Sequence, residues 1–337
     1  MWASPAQHLE KGEGMASTFV AEPAESSPLA QLTDLLPSGQ KRRQQTYERV
    51  IRTLLTLVAS IAVVITLGVV ASLVQPTVQF FQDVSFGDFF GSTKWYPLFE
   101  PPGFGVWPLI IGTFMVMLIA TLVAVPGGLA TAFFLNQYAS DRTRRYLKPI
   151  LEILAGIPTV VFGFFAVTFV SPNIAQKIWP VGDVGFYNAL SAGLVVGIMI
   201  LPMMTTLAED AMASIPRSLV EGAYALGATR REVCTTVIFQ AALSGIIAGA
   251  VIAISRAIGE TTIVLLASGS NAEFTFNPGH AMQTLASFIG FAGIGDQPTD
   301  STGYRTIFAV GSLLFIITFI LNMVSIRIVR KFREVYE

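Results

Sequence analysis

The sequence predicts an all-α, polytopic membrane protein with six transmembrane helices and both termini on the cytoplasmic side. Three observations predict it. Of the 337 residues, 53% are hydrophobic and 13% are charged, whereas soluble domains carry roughly 25% charged residues. Six apolar segments reach the roughly 20 helical residues needed to cross about 30 Å of hydrocarbon. Finally, 17 of the 21 Lys and Arg residues fall on one side of the alternating loops and 3 on the other. That asymmetry is the positive-inside bias, and it orients the chain with its N-terminus inside. A net charge of −1 gives no field that would attract nucleic acid. One cysteine, Cys234, and two histidines, His8 and His280, leave no disulfide framework and no Cys/His metal site. Cys234 reads as a small apolar filler.

Taken in order, residues 1–45 are rich in Pro, Ser, Glu, Ala and Gln without an apolar period. They read as a disordered cytoplasmic tail, followed by a transmembrane domain over 46–337. No apolar core of a signal peptide precedes residue 50, so no cleavable signal is expected. Lys41, Arg42, Arg43, Arg49 and Arg52 abut the first apolar run and act as its topological anchor. The spans are expected at 51–74, 107–137, 149–171, 186–206, 241–268 and 304–328. The second carries Pro126-Gly127-Gly128; Pro158 and Pro202 kink the third and fourth or end a turn there. Gly193-x-x-x-Gly197 and Gly245-x-x-x-Gly249 offer small faces for close helix approach within one chain. Two longer outside loops remain, 75–106 and 269–303. In the first, Trp95, Tyr96 and Trp107 read as an interfacial aromatic belt; a docking surface for an external partner is the alternative.

The stretch with chemical content is Ile252–Gly269. It is apolar except for Arg256 and Glu260. Charge at membrane depth costs about 2.5–3.5 kcal/mol on insertion scales and usually faces a bundle interior or a water-filled cavity. The i, i+4 spacing lets the two side chains meet on one helix face. The pair reads as part of a conduit for a polar, anionic solute, or as a buried ion pair that fixes helix packing. The hydroxyls of Ser255, Thr261 and Thr262 either contact the solute or bond back to their own helix. Glu152, at the start of the third span, reads as pairing with local basic groups.

The loop 207–236 is the second informative stretch. Ile215-Pro216 marks a break, and Pro suits the first turn of a helix. Glu221, Tyr224, Ala225 and Ala228 recur at three- and four-residue spacing, which predicts a short amphipathic helix. Gly227 supplies a bend or a close backbone contact. Such a helix either docks into a groove of another protein or lies against its own bundle.

The run Glu221-Gly222-Ala223-Tyr224-Ala225-Leu226-Gly227, followed by Val237-Ile238-Phe239-Gln240, resembles the EAA loop of ABC-importer permeases. That pattern is Glu-Ala-Ala, a Gly after three further residues, then Ile-x-Leu-Pro. Glu221, Ala223 and Gly227 match; Gly222 replaces the first Ala and Gln240 the Pro. With Leu154–Gly163 and Ser255–Thr261 added, residues 50–330 are similar to the phosphate-specific branch, more to its C-type than its A-type permease. The resemblance implies a permease subunit of an ATP-driven phosphate importer. Its implied partners are a second, related permease, two ATPase subunits and an external phosphate-binding protein. It implies a coupling role for Glu221, Ala223, Gly227 and Ala228, and a pathway role for Arg256, Glu260, Thr261 and Ser255.

No G-x-x-x-x-G-K-[ST] loop occurs, so ATP and Mg²⁺ are expected on the partner subunits and no cofactor on this chain. Arg256 presents a flat fork of donors suited to an oxyanion. Glu260 could accept the proton of hydrogen phosphate and repel sulfate, which has none, or it could merely neutralise Arg256. Physics alone would accept sulfate or molybdate too. An ion-coupled secondary carrier is the rival from another class, and an EAA-like loop has no use in a carrier.

Overall fold

The computed structural model describes residues 38–180 and 182–332. Of the tail expected over 1–45, residues 1–37 lie outside the described residues, and helix begins at Ser38. The chain divides into two compact units, 1–66 and 67–337. Helix α1 (Ser38–Asp83) belongs to both. In the first unit its side chains from 46 to 66 are exposed. A helix suits hydrocarbon because its backbone bonds are internal. The hydroxyls of Ser60 and Thr66 follow the same rule, donating to Thr56 O at 2.8 Å and Ala62 O at 2.9 Å.

The second unit continues with α2 (Phe86–Gly91), strands β1 (Trp95–Tyr96) and β2 (Gly103–Phe104), and α3 (Trp107–Tyr138). Then follow α4 (Asp141–Gly156), α5 (Thr159–Ile178), α6 (Ala189–Ala213) and α7 (Arg217–Ala225). The chain goes on through α8 (Arg230–Ile258), α9 (Thr262–Ala267), α10 (Leu285–Gly293) and α11 (Thr302–Phe332). Among the described residues, six helices, namely α1, α3, α5, α6, α8 and α11, are long and apolar enough to span a membrane. The all-α, six-span expectation holds; β1 and β2 form one two-residue antiparallel rung pairing Trp95 with Phe104.

Helix α6 is the spine of this unit, packed along both α3 and α8. The two small-residue motifs make those contacts. A Cβ at Gly193 or Gly197 would sit 2.7 Å from the Cβ of Ile119 or Val123 of α3. One at Gly245 or Gly249 would lie 2.6 Å from Ala211 or 2.8 Å from Leu207 of α6. Both motifs therefore serve close packing inside the chain, where dispersion and not hydrophobic exclusion holds helices together in lipid.

Two expected spans run on, the first to Asp83 and the fourth to Ala213, and two others shift. Residues 149–171 do not form one helix. Pro158 lacks an N–H and disfavours helical backbone in the residue before it, and Ile157 is extended. The charged helix α4 thus ends at Gly156, and the span proper is α5. The segment 241–268 is displaced in the other direction. With Gln240 in place of Pro, nothing interrupts the backbone, and α8 begins at Arg230 behind a capping box of Thr229 and Glu232. It then stops at Ile258, and α9 resumes at Thr262.

Trp95 is a further correction. It is 4% exposed and meets Phe288 edge to face at 4.9 Å, within an aromatic cluster with Phe80 and Phe89. It holds α10 and the β-hairpin together and is not part of a lipid-facing belt. Trp107, 41% exposed with its indole N–H donating to Phe90 O, does have the amphipathic placement of a belt residue.

Candidate functional site

The site is built around the break between α8 and α9. Arg256 lies in the last turn of α8, where a cation complements the helix dipole. Its NH1 donates to Glu260 Oε2 at 3.0 Å. Glu260 Oε1 accepts from the backbone N–H groups of Thr262 at 3.1 Å and Ile263 at 3.2 Å. Glu260 therefore does two things at once: it ties down the guanidinium and caps the first turn of α9. Its side chain is 3% exposed, whereas that of Arg256 is 46% exposed. The carboxylate is the buried anchor and the guanidinium is the presented group.

Of the neighbouring hydroxyls, Ser255 donates to Asn322 Oδ1 of α11 at 2.9 Å, across to a neighbouring helix. Thr261 donates to Gly259 O at 3.3 Å within the break. Arg256 and Glu260 are thus brought together, and the two hydroxyls are occupied by protein partners beside them.

Arg256 opens onto a cavity of about 500 Å³. Helix α4 contributes Lys148, Leu151, Glu152 and Ala155, an i, i+3, i+4, i+7 set that forms one helix face. Helix α6 contributes Met199, Met203, Thr206 and Glu209. Met199 Sδ lies 4.0 Å from Arg256 NH2. Lys148 Nζ lies 2.9 Å from Glu209 Oε1. Glu152 lines the cavity, and the ammonium one turn before it goes to Glu209. Lys148 and Glu209 were hidden in the sequence because both sit in stretches that read as loop. The helical spacing of the α4 set was the available signal.

The loop 207–236 resolves into the end of α6, then α7, then the start of α8. Gly227 adopts φ +86°. Its N–H bonds to Tyr224 O at 3.0 Å, and that of Ala228 to Ala223 O at 3.2 Å, the paired bonds of a Schellman helix end. A Cβ at Gly227 would meet open space, so the bend and not close contact demands glycine here. Val220, Ala223 and Ala228 pack inward on the core. Glu221 is exposed, and so are Leu219, Tyr224 and Leu226, the last 91%. A helix with one face fixed to its bundle and apolar groups on the other is a protruding knob.

Known proteins agree with this architecture. The family described as "Binding-protein-dependent transport system inner membrane component" matches residues 124–333. A probable ABC transporter permease protein, YqgH of Bacillus subtilis (strain 168), is 35% identical, covering 79% of this chain and 84% of that one. The phosphate transport system permease protein PstC of Xylella fastidiosa (strain 9a5c) is 31% identical over 72% of this chain and 80% of its own. A probable PstC of Methanocaldococcus jannaschii is 32% identical over 73% and 82%. Among solved structures, a bacterial alginate ABC transporter chain aligns with a TM-score of 0.58 at 16% identity, over 86% of this chain and 96% of that one. The MetNI methionine ABC transporter aligns at 0.51 and 20%, over 68% and 95%.

Proposed function

We infer the function from one premise: the chain belongs to the binding-protein-dependent transport system inner membrane components and is a multi-pass inner-membrane permease of the ABC-importer type. On our reading it conducts inorganic phosphate as one half of a permease pair. Two ATPase subunits carry ATP and Mg²⁺, and an external binding protein delivers the solute. The relatives named for phosphate transport support the substrate. The positive-inside bias supports N- and C-termini in the cytoplasm; on that reading α7 faces the ATPases and serves as the coupling helix. Glu221 and the Gly227 bend would sit in the ATPase groove, and the inward Ala223 and Ala228 would pass its movement to the bundle.

The observation that carries the reading is the presented guanidinium. Arg256 is half exposed at the cavity wall, and only NH1 is committed to Glu260. Before solvent at the half-exposed guanidinium screens both effects, an oxyanion in contact with it at about 4 Å gains about 4 kcal/mol per unit charge at an effective dielectric of 20. The carboxylate behind, at about 8 Å, repels it by about 2 kcal/mol per unit charge. Attraction wins, but is roughly halved. That suits a conduit, where the solute must bind and then leave.

Both oxygens of Glu260 are engaged, which favours neutralising and positioning Arg256 over probing the solute's protonation. Thr261 and Ser255 border the pathway on this reading. The test is Arg256→Gln in the assembled transporter reconstituted with its binding protein. ATPase assembly persists and phosphate uptake is lost; normal uptake would eliminate the proposed role. Running sulfate and molybdate as alternative solutes identifies the oxyanion.

A further inference from the structure

The cavity that begins at Arg256 ends at a second cation, and the inference rests on the oxyanion pathway proposed above. Arg256 meets α6 at Met199, and Lys148 meets it at Glu209. At 1.5 Å per helical residue those two positions are about 15 Å apart. Both cations line one cavity, whose wall between them supplies Met203, Thr206 and Leu207 from α6. Glu209 is the fixed member of its pair, with a side chain 11% exposed; that of Lys148 is 44% exposed. Glu209 lies close to the end of α6 that leads into α7, so Lys148 marks the coupling end of the cavity.

We propose that Lys148 is a second oxyanion-binding residue, and that Glu209 is its resting counter-ion, exchanged for the solute as it passes. The choice of residue fits. An ammonium is a compact, strongly hydrated point charge on a flexible stem, able to turn from a carboxylate to an anion and to release it. A guanidinium would hold either one more rigidly in a two-pronged bond. Glu209 competes for the same ammonium, so the station stays weak, as passage through successive sites requires. The pair is partly solvated, so the competition is worth a factor of about five and not several orders of magnitude.

The complete transporter, reconstituted with its ATPases and binding protein, provides the test. Labelled phosphate is transported while unlabelled phosphate is varied on the ATPase side. Glu209→Gln frees Lys148 and lowers the half-inhibitory phosphate concentration about fivefold. Lys148→Gln raises it by a similar factor, whereas Lys148→Arg, which keeps the charge and grips more rigidly, does not raise it. A bridge that only fastens α4 to α6 is broken equally by the first two variants; shifts in the same direction, or none, would overturn the proposal. A second measurement needs no variant: phosphate slows modification of Lys148 by an amine-reactive reagent in the wild-type complex, and an unchanged labelling rate would also overturn it. Wild-type vesicles that carry no phosphate overturn the parent reading, and this one with it. Phosphate transport with parallel effects of the two substitutions sinks this one alone.

Discussion

Glu260 is the residue on which the break between α8 and α9 turns, and its two functions can be separated. Glu260→Ala removes the cap from Thr262 and Ile263, which costs about 1 kcal/mol for a typical N-terminal cap. It also removes the charge-assisted bond to Arg256. Such bonds contribute about 1.5–3 kcal/mol, but water can reach the half-exposed guanidinium, so about 1 kcal/mol is the better figure. The vacated, buried volume adds about 1 kcal/mol more, for a total of about 3 kcal/mol. Glu260→Gln fills the space and keeps a carbonyl oxygen for the cap. It turns an amide NH₂ toward the guanidinium and costs about 1–2 kcal/mol. The purified complex should therefore unfold in the order Ala before Gln before wild type. Phosphate uptake by the Gln variant falls about tenfold if roughly 1.4 kcal/mol of guanidinium positioning is lost. The Gln variant keeps the wild type's preference between phosphate and sulfate, because the side chain faces backbone and Arg256 rather than the solute. Equal stability of the two variants would refute the capping argument. Wild-type uptake by the Gln variant would refute positioning, and a shift of that preference toward sulfate would restore Glu260 as the discriminator.

Gly227 offers a check on α7. Open space surrounds the position, so only backbone strain opposes a side chain; a non-glycine residue there costs about 1–2 kcal/mol. Gly227→Asn, which tolerates this backbone, should retain the ATPase subunit on purification, and Gly227→Val should lose most of it; full retention by the valine variant counts against the coupling role. Trp95→Ala should destabilise the complex by about 3–5 kcal/mol, the cost of emptying an aromatic core site. Trp107→Ala, at an exposed position, should cost less than half of that; comparable melting shifts for the two would return Trp95 to the interface.

What the sequence revealed and concealed follows from the range of the forces involved. Hydropathy and basic-residue placement are local averages, and they located six spans. The i, i+4 spacing of Arg256 and Glu260 is also local, and the ion pair forms at 3.0 Å. The break that contains Glu260, between Ile258 and Thr262, was not legible, so the pair closes across a helix end and not on one helix face. The break's stability comes from a carboxylate folding back on two N–H groups, while the flanking residues Ile258 and Ile263 keep the hydropathy of an unbroken helix. Pro158 was visible as a kink, but not as the end of a separate amphipathic helix. That outcome depends on Lys148 and Glu152 finding a cavity instead of lipid. Trp95 misled because its neighbours in sequence are loop residues, while its partner in space, Phe288, arrives from α10.

The Lys148–Glu209 pair shows the same limit and turns it into a physical criterion. The two residues belong to different helices, and neither has a local partner that betrays it. Burying both members of an ion pair costs more in desolvation than their attraction returns unless the geometry is excellent and each is fully hydrogen-bonded. Here each cation at the cavity is half exposed while the carboxylate it meets is nearly covered: 46% against 3% at Arg256, and 44% against 11% at Lys148. Burial of the acid and presentation of the base recur at both ends of one cavity, about 15 Å apart. Long basic stems favour that asymmetry in any ion pair; what sets these two pairs apart is that both cations open onto the same cavity. On the proposed pathway the two bases are stations for a mobile anion: the covered acids neutralise the resting sites, and the bases are left to meet what passes.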